Sequence, residues 1–146
     1  MRDVATPLRA AYETALQGNI TVSAAVVPVY YGKVPSSSNA NFFILIPEIN
    51  ATQKKVMRTF IADARVHIDI IQRIATDVSA EQVESATDQI LQIIKPTPNT
   101  KGISVSSPFI LIKVSLENND ANRAVQIDAA KFVVSKSLTF NNIVQN

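Results

Sequence analysis

The chain's single histidine, His67, stands four residues after Asp63 and two before Asp69, and on an extended strand all three side chains would point the same way. An imidazole flanked by carboxylates is raw material for a metal site. A metal site needs three or four ligands and further groups to orient them. With one histidine in the whole chain, the row reads instead as a solvated or interfacial sheet face, and neither a metal nor a cofactor is expected. Cysteine is absent, which excludes disulfides, thiolate metal sites and a cysteine nucleophile. Ser36, Ser37 and Ser38 supply hydroxyls, but no base lies near them in sequence. There is also no phosphate-binding glycine loop, no Gly-x-Ser-x-Gly elbow and no paired-carboxylate signature. The expectation is a protein that is not an enzyme.

The other group able to do chemistry is cationic: Lys54, Lys55 and Arg58 fall within five residues. Such a cluster suits contact with a nucleic-acid backbone, or it is simply a solvated loop, and no interleaved aromatic residue supports base stacking. The formal charge of +2 over 146 residues is too small to announce a nucleic-acid binder. Tyr30, Tyr31, Phe42 and Phe43 read as core or interface aromatics, not as a ligand box.

Hydrophobic residues make up 47% of the chain and charged ones 18%, which excludes a disordered polymer and suggests more apolar surface than a monomer hides. An oligomer is favoured. No run approaches the roughly 20 apolar residues that span a bilayer, and the N-terminus lacks a signal-like apolar stretch. The expectation is no membrane, with the protein made and folded in cytoplasm.

The stretch from Ala64 to Ile74 organises the rest. Val66, Ile68 and Ile70 alternate with Arg65, His67 and Asp69, as a half-buried central strand requires. Before it, Pro7 to Gln17 has Leu8, Ala11, Tyr12, Ala15 and Leu16 at helical spacing, with Gly18-Asn19 as a stop. Ile20 to Tyr31 reads as a strand that Pro28 confines to an edge or a bulge. Gly32 to Asn41 is a loop. Phe42 to Ile46 is apolar on both faces, Asn50 to Arg58 is a polar connection, and the three strands are expected to form an antiparallel meander.

Ser79-Ala80-Glu81-Gln82 reads as a capping box opening a second helix, whose stripe is Val83, Ala86, Ile90, Ile93 and Ile94 until Pro96. Phe109 to Glu117 gives a fourth strand with Ile110, Ile112, Val114 and Leu116 on one face. Arg123 to Ser135 gives a fifth, with a bulge near Ala130 where the phase shifts. The fold class is α+β: an antiparallel sheet of about five strands with two helices packed on one face, in the order α-β-β-β-α-β-β. Residues 1–136 form one domain. Residues 137–146 set Leu138, Phe140, Ile143 and Val144 among asparagines and are expected to dock on a neighbour.

The element order, with Val29-Tyr30-Tyr31-Gly32-Lys33-Val34-Pro35, Asn41-Phe42-Phe43-Ile44-Leu45-Ile46 and Arg65-Val66-His67-Ile68-Asp69-Ile70 on successive strands, resembles the tail terminator or tail-completion proteins of tailed bacteriophages. That resemblance implies a small structural virion protein forming a ring at the head-tail junction. It implies a homo-oligomer of six or twelve copies, other connector or tail proteins as partners, and DNA passing through the lumen. On this reading Phe42, Phe43, Leu138, Phe140, Ile143 and Val144 serve the oligomer interface, and Lys54, Lys55 and Arg58 face the DNA path or a subunit. The alternative is a small nucleic-acid-binding or adaptor module using the Lys54 to Arg58 stretch.

Overall fold

A computed structural model describes residues 2–74, 80–128 and 131–146, apart from the side chains of Ile74, Ile127 and Asp128. Helix α1 covers Ala5–Leu16 and buries Leu8, Ala11, Tyr12 and Leu16. It starts two residues before Pro7, and the Asp3 carboxylate accepts a hydrogen bond from its first amide, Ala5 N–H, at 3.0 Å. Gly18 adopts φ 78° just past the helix end, the left-handed conformation that glycine takes without penalty.

The expected strand from Ile20 to Tyr31 is three short pieces. β1 (Thr21–Val22) and β2 (Ala25–Val26) form a separate two-stranded hairpin, turned at Ser23 and Ala24 with φ of 51° and 62°. β3 (Val29–Tyr31) then joins the main sheet at its edge, where the missing amide of Pro28 does no harm. β4 is Phe42–Ile46, as read from sequence, but β3 runs parallel to it: the 32–41 loop carries the chain back along the sheet before β4 begins. The antiparallel meander is corrected at that step.

The polar connection is itself a strand, β5 (Ile49–Val56), which forms an unbroken hairpin with β6 (Thr59–Ile74) through eight consecutive pairs. Its sequence hid this because little of it is buried, so no apolar alternation marks it. Helix α2 covers Glu81–Ile94 and buries Val83, Ala86, Thr87, Ile90 and Ile94. The Ser79 half of the expected capping box lies outside the described residues. Gln82 does not turn back to cap; its amide bonds Gln72 and Ser23 instead.

β7 (Ile110–Asn119) carries two bulges, and the first shifts the phase at its start: Leu111 faces the core while the expected Ile110 and Ile112 are exposed, and beyond the bulge Val114 is buried as expected. The fifth strand is two. β8 (Arg123–Asp128) and β9 (Lys131–Gln145) pair antiparallel with Asp128 opposite Lys131. The bulge expected at Ala130 lies outside the described residues.

The main sheet therefore has seven strands, not five. Its path is β3-β4-β6-β9-β7, with β5 continuing the β4 side of β6 and β8 continuing the β7 side of β9. β6 and β9 pair over fourteen residue pairs and form its spine. Ala62, Ala64, Val66, Ile68 and Ile70 on β6, with Val134, Leu138, Phe140 and Val144 on β9, fill one face and pack under both helices. The other face carries no helix among the described residues.

This arrangement corrects the expected division at Lys136. Residues 137–146 continue β9 between β6 and β7, and Leu138, Phe140 and Val144 are completely buried in the protein's own core. Alternation within β9 sends its even-numbered apolar residues under the helices, so the segment has no apolar set left to offer a neighbour.

Candidate functional site: the helix-free face and the sheet edges

The register between β6 and β9 decides what the open face can do. Asp63, Arg65, His67 and Asp69 point away from the helices, opposite Ile143, Asn141, Thr139 and Ser137. His67 Nδ1 lies 3.1 Å from the Thr139 hydroxyl, and Ser137 donates to the Asp69 carboxylate at 2.6 Å. His67 and Asp69 are thus each engaged by a hydroxyl directly across the strand pair, a cross-strand ladder of the kind that fixes register. Among the described residues no three His, Asp, Glu or Cys side chains gather as a metal site would need.

Arg65 donates from Nε to both carboxylate oxygens of Glu117, at 3.0 and 2.7 Å. The hydrogen bond to Glu117, followed by its charge, raises the guanidinium pKa above its ordinary value. Both partners are about half exposed, so solvent screening leaves the pair little to contribute to stability. Glu117 sits at one of the β7 bulges, which turns its side chain toward β6. Around the pair and His67 lies only a shallow depression of about 340 Å³, too open to sequester a substrate.

Lys54, Lys55 and Arg58 are all exposed, and none makes an ion pair among the described residues. They do not form one patch. Lys54 pairs with Ile61 on the helix-free face, Lys55 pairs with Phe60 and points to the other side, and Arg58 belongs to the turn. Beside Arg58 the tip presents Met57, 91% exposed at φ 54°, a backbone conformation unfavourable for any residue but glycine.

The six apolar residues expected at an interface are mostly spent inside the protein. Phe43 is buried against Tyr30, with ring centroids 6.0 Å apart, and the Arg73 guanidinium covers its ring at 5.4 Å. Phe42 packs partly on the core, and Leu138, Phe140 and Val144 are wholly within it. Ile143 alone of the C-terminal set points to the helix-free face and keeps partial exposure.

Sequence reasoning also missed Asn142. It is completely buried on the core face of β9, accepts a hydrogen bond from the Tyr12 hydroxyl at 3.0 Å, and donates to the Ala64 and Phe140 carbonyls at 3.3 Å. Burial pushes the Tyr12 phenol pKa well up, keeping it a donor. The signal was an asparagine in phase with Phe140 and Val144 on a strand and a tyrosine in the stripe of a helix.

Exposed large apolar residues concentrate at the two sides of the sheet. Val56 and Met57 lie on the β5–β6 hairpin, Ile110, Ile112 and Leu116 on β7, and Val125 on β8. No helix among the described residues is long and apolar enough to cross a membrane.

No known protein family matches the sequence, and no curated protein matches it either. Among solved structures, a chain of the virion of a native gene transfer agent (GTA) particle has the same fold, with a TM-score of 0.72 over 100% of both chains at 16% sequence identity. The fold class shared with that virion chain is α+β, with an open sheet backed by two helices.

Proposed function

We propose that this chain is a structural protein of a phage-like virion, a ring subunit at the head-tail junction acting in tail termination or completion. The observation that carries the reading is the likeness in fold, over the full length of both chains, to a virion component of a gene transfer agent particle. Three features of the chain support it. His67 and Asp69 on the open face bond to Thr139 and Ser137 across strands. Apolar residues are left exposed at both sides of the sheet. The buried hydrogen bond of Tyr12 with Asn142 ties α1 to β9 and serves the core.

On this reading the protein has no catalytic activity and takes no cofactor. It assembles in the host cytoplasm into a closed ring of six or twelve copies that contacts other connector or tail proteins. Closed rings arise from head-to-tail contacts between two different surfaces of one subunit. Electron microscopy of purified particles labelled with antibody to this chain tests the assignment. Label at the head-tail junction is the expected outcome; particles that lack the chain, or carry it only on the head shell, contradict it.

A second reading rests on the three unpaired cations of the hairpin: a nucleic-acid contact through Lys54, Lys55 and Arg58. It predicts DNA binding that weakens steeply with salt and is lost when all three become glutamine.

A further inference from the structure

We infer that the subunit pairs with copies of itself edge to edge, the β5 edge of one copy adding to the β7 edge of the next. The inference rests on the ring reading above and names the surface that would build it. Among the described residues β5 pairs only with β6, and β7 only with β9, so each has an outer backbone edge without a strand partner, although the Lys101 ammonium donates to the Leu111 carbonyl of β7 at 2.7 Å. The two edges bound a four-stranded segment, β5-β6-β9-β7, in which every pairing is antiparallel.

Four is an even number, so β5 and β7 run in opposite directions. A second copy placed alongside with its helices on the same side therefore meets β7 with an antiparallel β5, and the alternation continues without a break. The lengths suit each other: β5 has eight residues and β7 ten. The exposed apolar residues lie where such a seam would cover them, Val56 and Met57 at one edge and Ile110, Ile112 and Leu116 at the other. The contact joins two different surfaces, which is what closes a ring instead of stopping at a dimer. The two bulges in β7 add twist and bend to that side of the sheet, the curvature a closed wall of strands needs.

Bulges and edge lysines also serve to block strand addition, and Lys54, Lys55 and Lys113 sit on these edges. That opposite reading predicts a chain that never pairs through β5 and β7, and one experiment separates the two.

The full-length chain has no native cysteine, so introduced thiols are unique. Thr52 on β5 and Lys113 on β7 are exposed and occupy the same row of the sheet, through Asp63 and Ile143. T52C and K113C are prepared separately and as the double variant, then treated with a short bismaleimide that tolerates a register slip. Native mass spectrometry of untreated protein runs in parallel. The expected result is covalent dimer from the mixed single variants and little from either alone, and from the double variant a ladder ending at the ring's copy number. A native oligomer without these cross-links, or with links within one variant alone, overturns edge pairing and leaves the ring reading standing. A chain that stays monomeric throughout overturns both.

Discussion

β9 and β5 are neighbours of the same central strand, yet they are opposites. β9 lies between β6 and β7, and its Leu138, Phe140, Asn142 and Val144 are fully buried. β5 has one partner, and of its eight residues only Ile49 and Gln53 are even partly covered. From composition their roles looked reversed, since the apolar terminus seemed made for a neighbour and the lysine-rich stretch seemed a mere connection. The difference teaches that apolar content says how much a segment must bury, while strand parity and pairing say where. A segment with apolar residues on alternate positions and two strand partners is core.

The contrast is broken most severely at the spine. Ile68→Asp places an unpaired carboxylate at a completely buried position of β6. Its cost of several kcal/mol is a large part of a domain stability of about 5–15 kcal/mol. Insoluble or unfolded protein by circular dichroism is expected; a normal melting curve would remove β6 from the core.

Truncation after Lys136 is next. It strips β6 and β7 of their shared partner and removes Leu138, Phe140 and Val144, each worth about 1.5–3 kcal/mol of burial. The truncated chain is expected to lose its cooperative unfolding transition. A folded monomer would restore the idea that the terminus serves a neighbour.

A smaller effect is expected of Asn142→Ala, which leaves the Tyr12 hydroxyl buried without its acceptor at a cost of about 1–3 kcal/mol. Tyr12→Phe combined with Asn142→Ala should cost less than the two single changes summed. Strict additivity in denaturant unfolding would show that the two side chains act independently. At the other extreme, changing Lys54, Lys55 and Arg58 together to glutamine should alter stability by less than about 0.5 kcal/mol per site, because all three are exposed and unpaired. A large drop in melting temperature would mean the hairpin belongs to the core after all.

Parity made much of the fold legible. The alternation of Val66, Ile68 and Ile70 placed the central strand, the stripes of α1 and α2 placed both helices, and Phe42–Ile46 was bounded to the residue. Edge strands were not legible, because β5 buries too little to show a period and the first bulge in β7 puts Leu111 in the core where strict alternation had chosen Ile110 and Ile112, Val114 alone of that set being buried as expected. The one expected strand from Arg123 to Ser135 is two, β8 and β9, with Asp128 paired to Lys131, and its sequence showed only a phase shift between them. As for the site, the sequence placed Arg65, His67 and Asp69 on one open face, but a cross-strand partner such as Thr139 is fixed by register between segments seventy-two residues apart.

Amide hydrogen exchange on the full-length chain, compared between dilute monomer and assembled protein, tests the division of labour between spine and edges most directly. Amides of β6 and β9 are expected to be strongly protected in both states, and those of β5 and β7 to gain protection only on assembly. Protection that appears in residues 137–146 only on assembly, with β5 and β7 unchanged, would contradict the account.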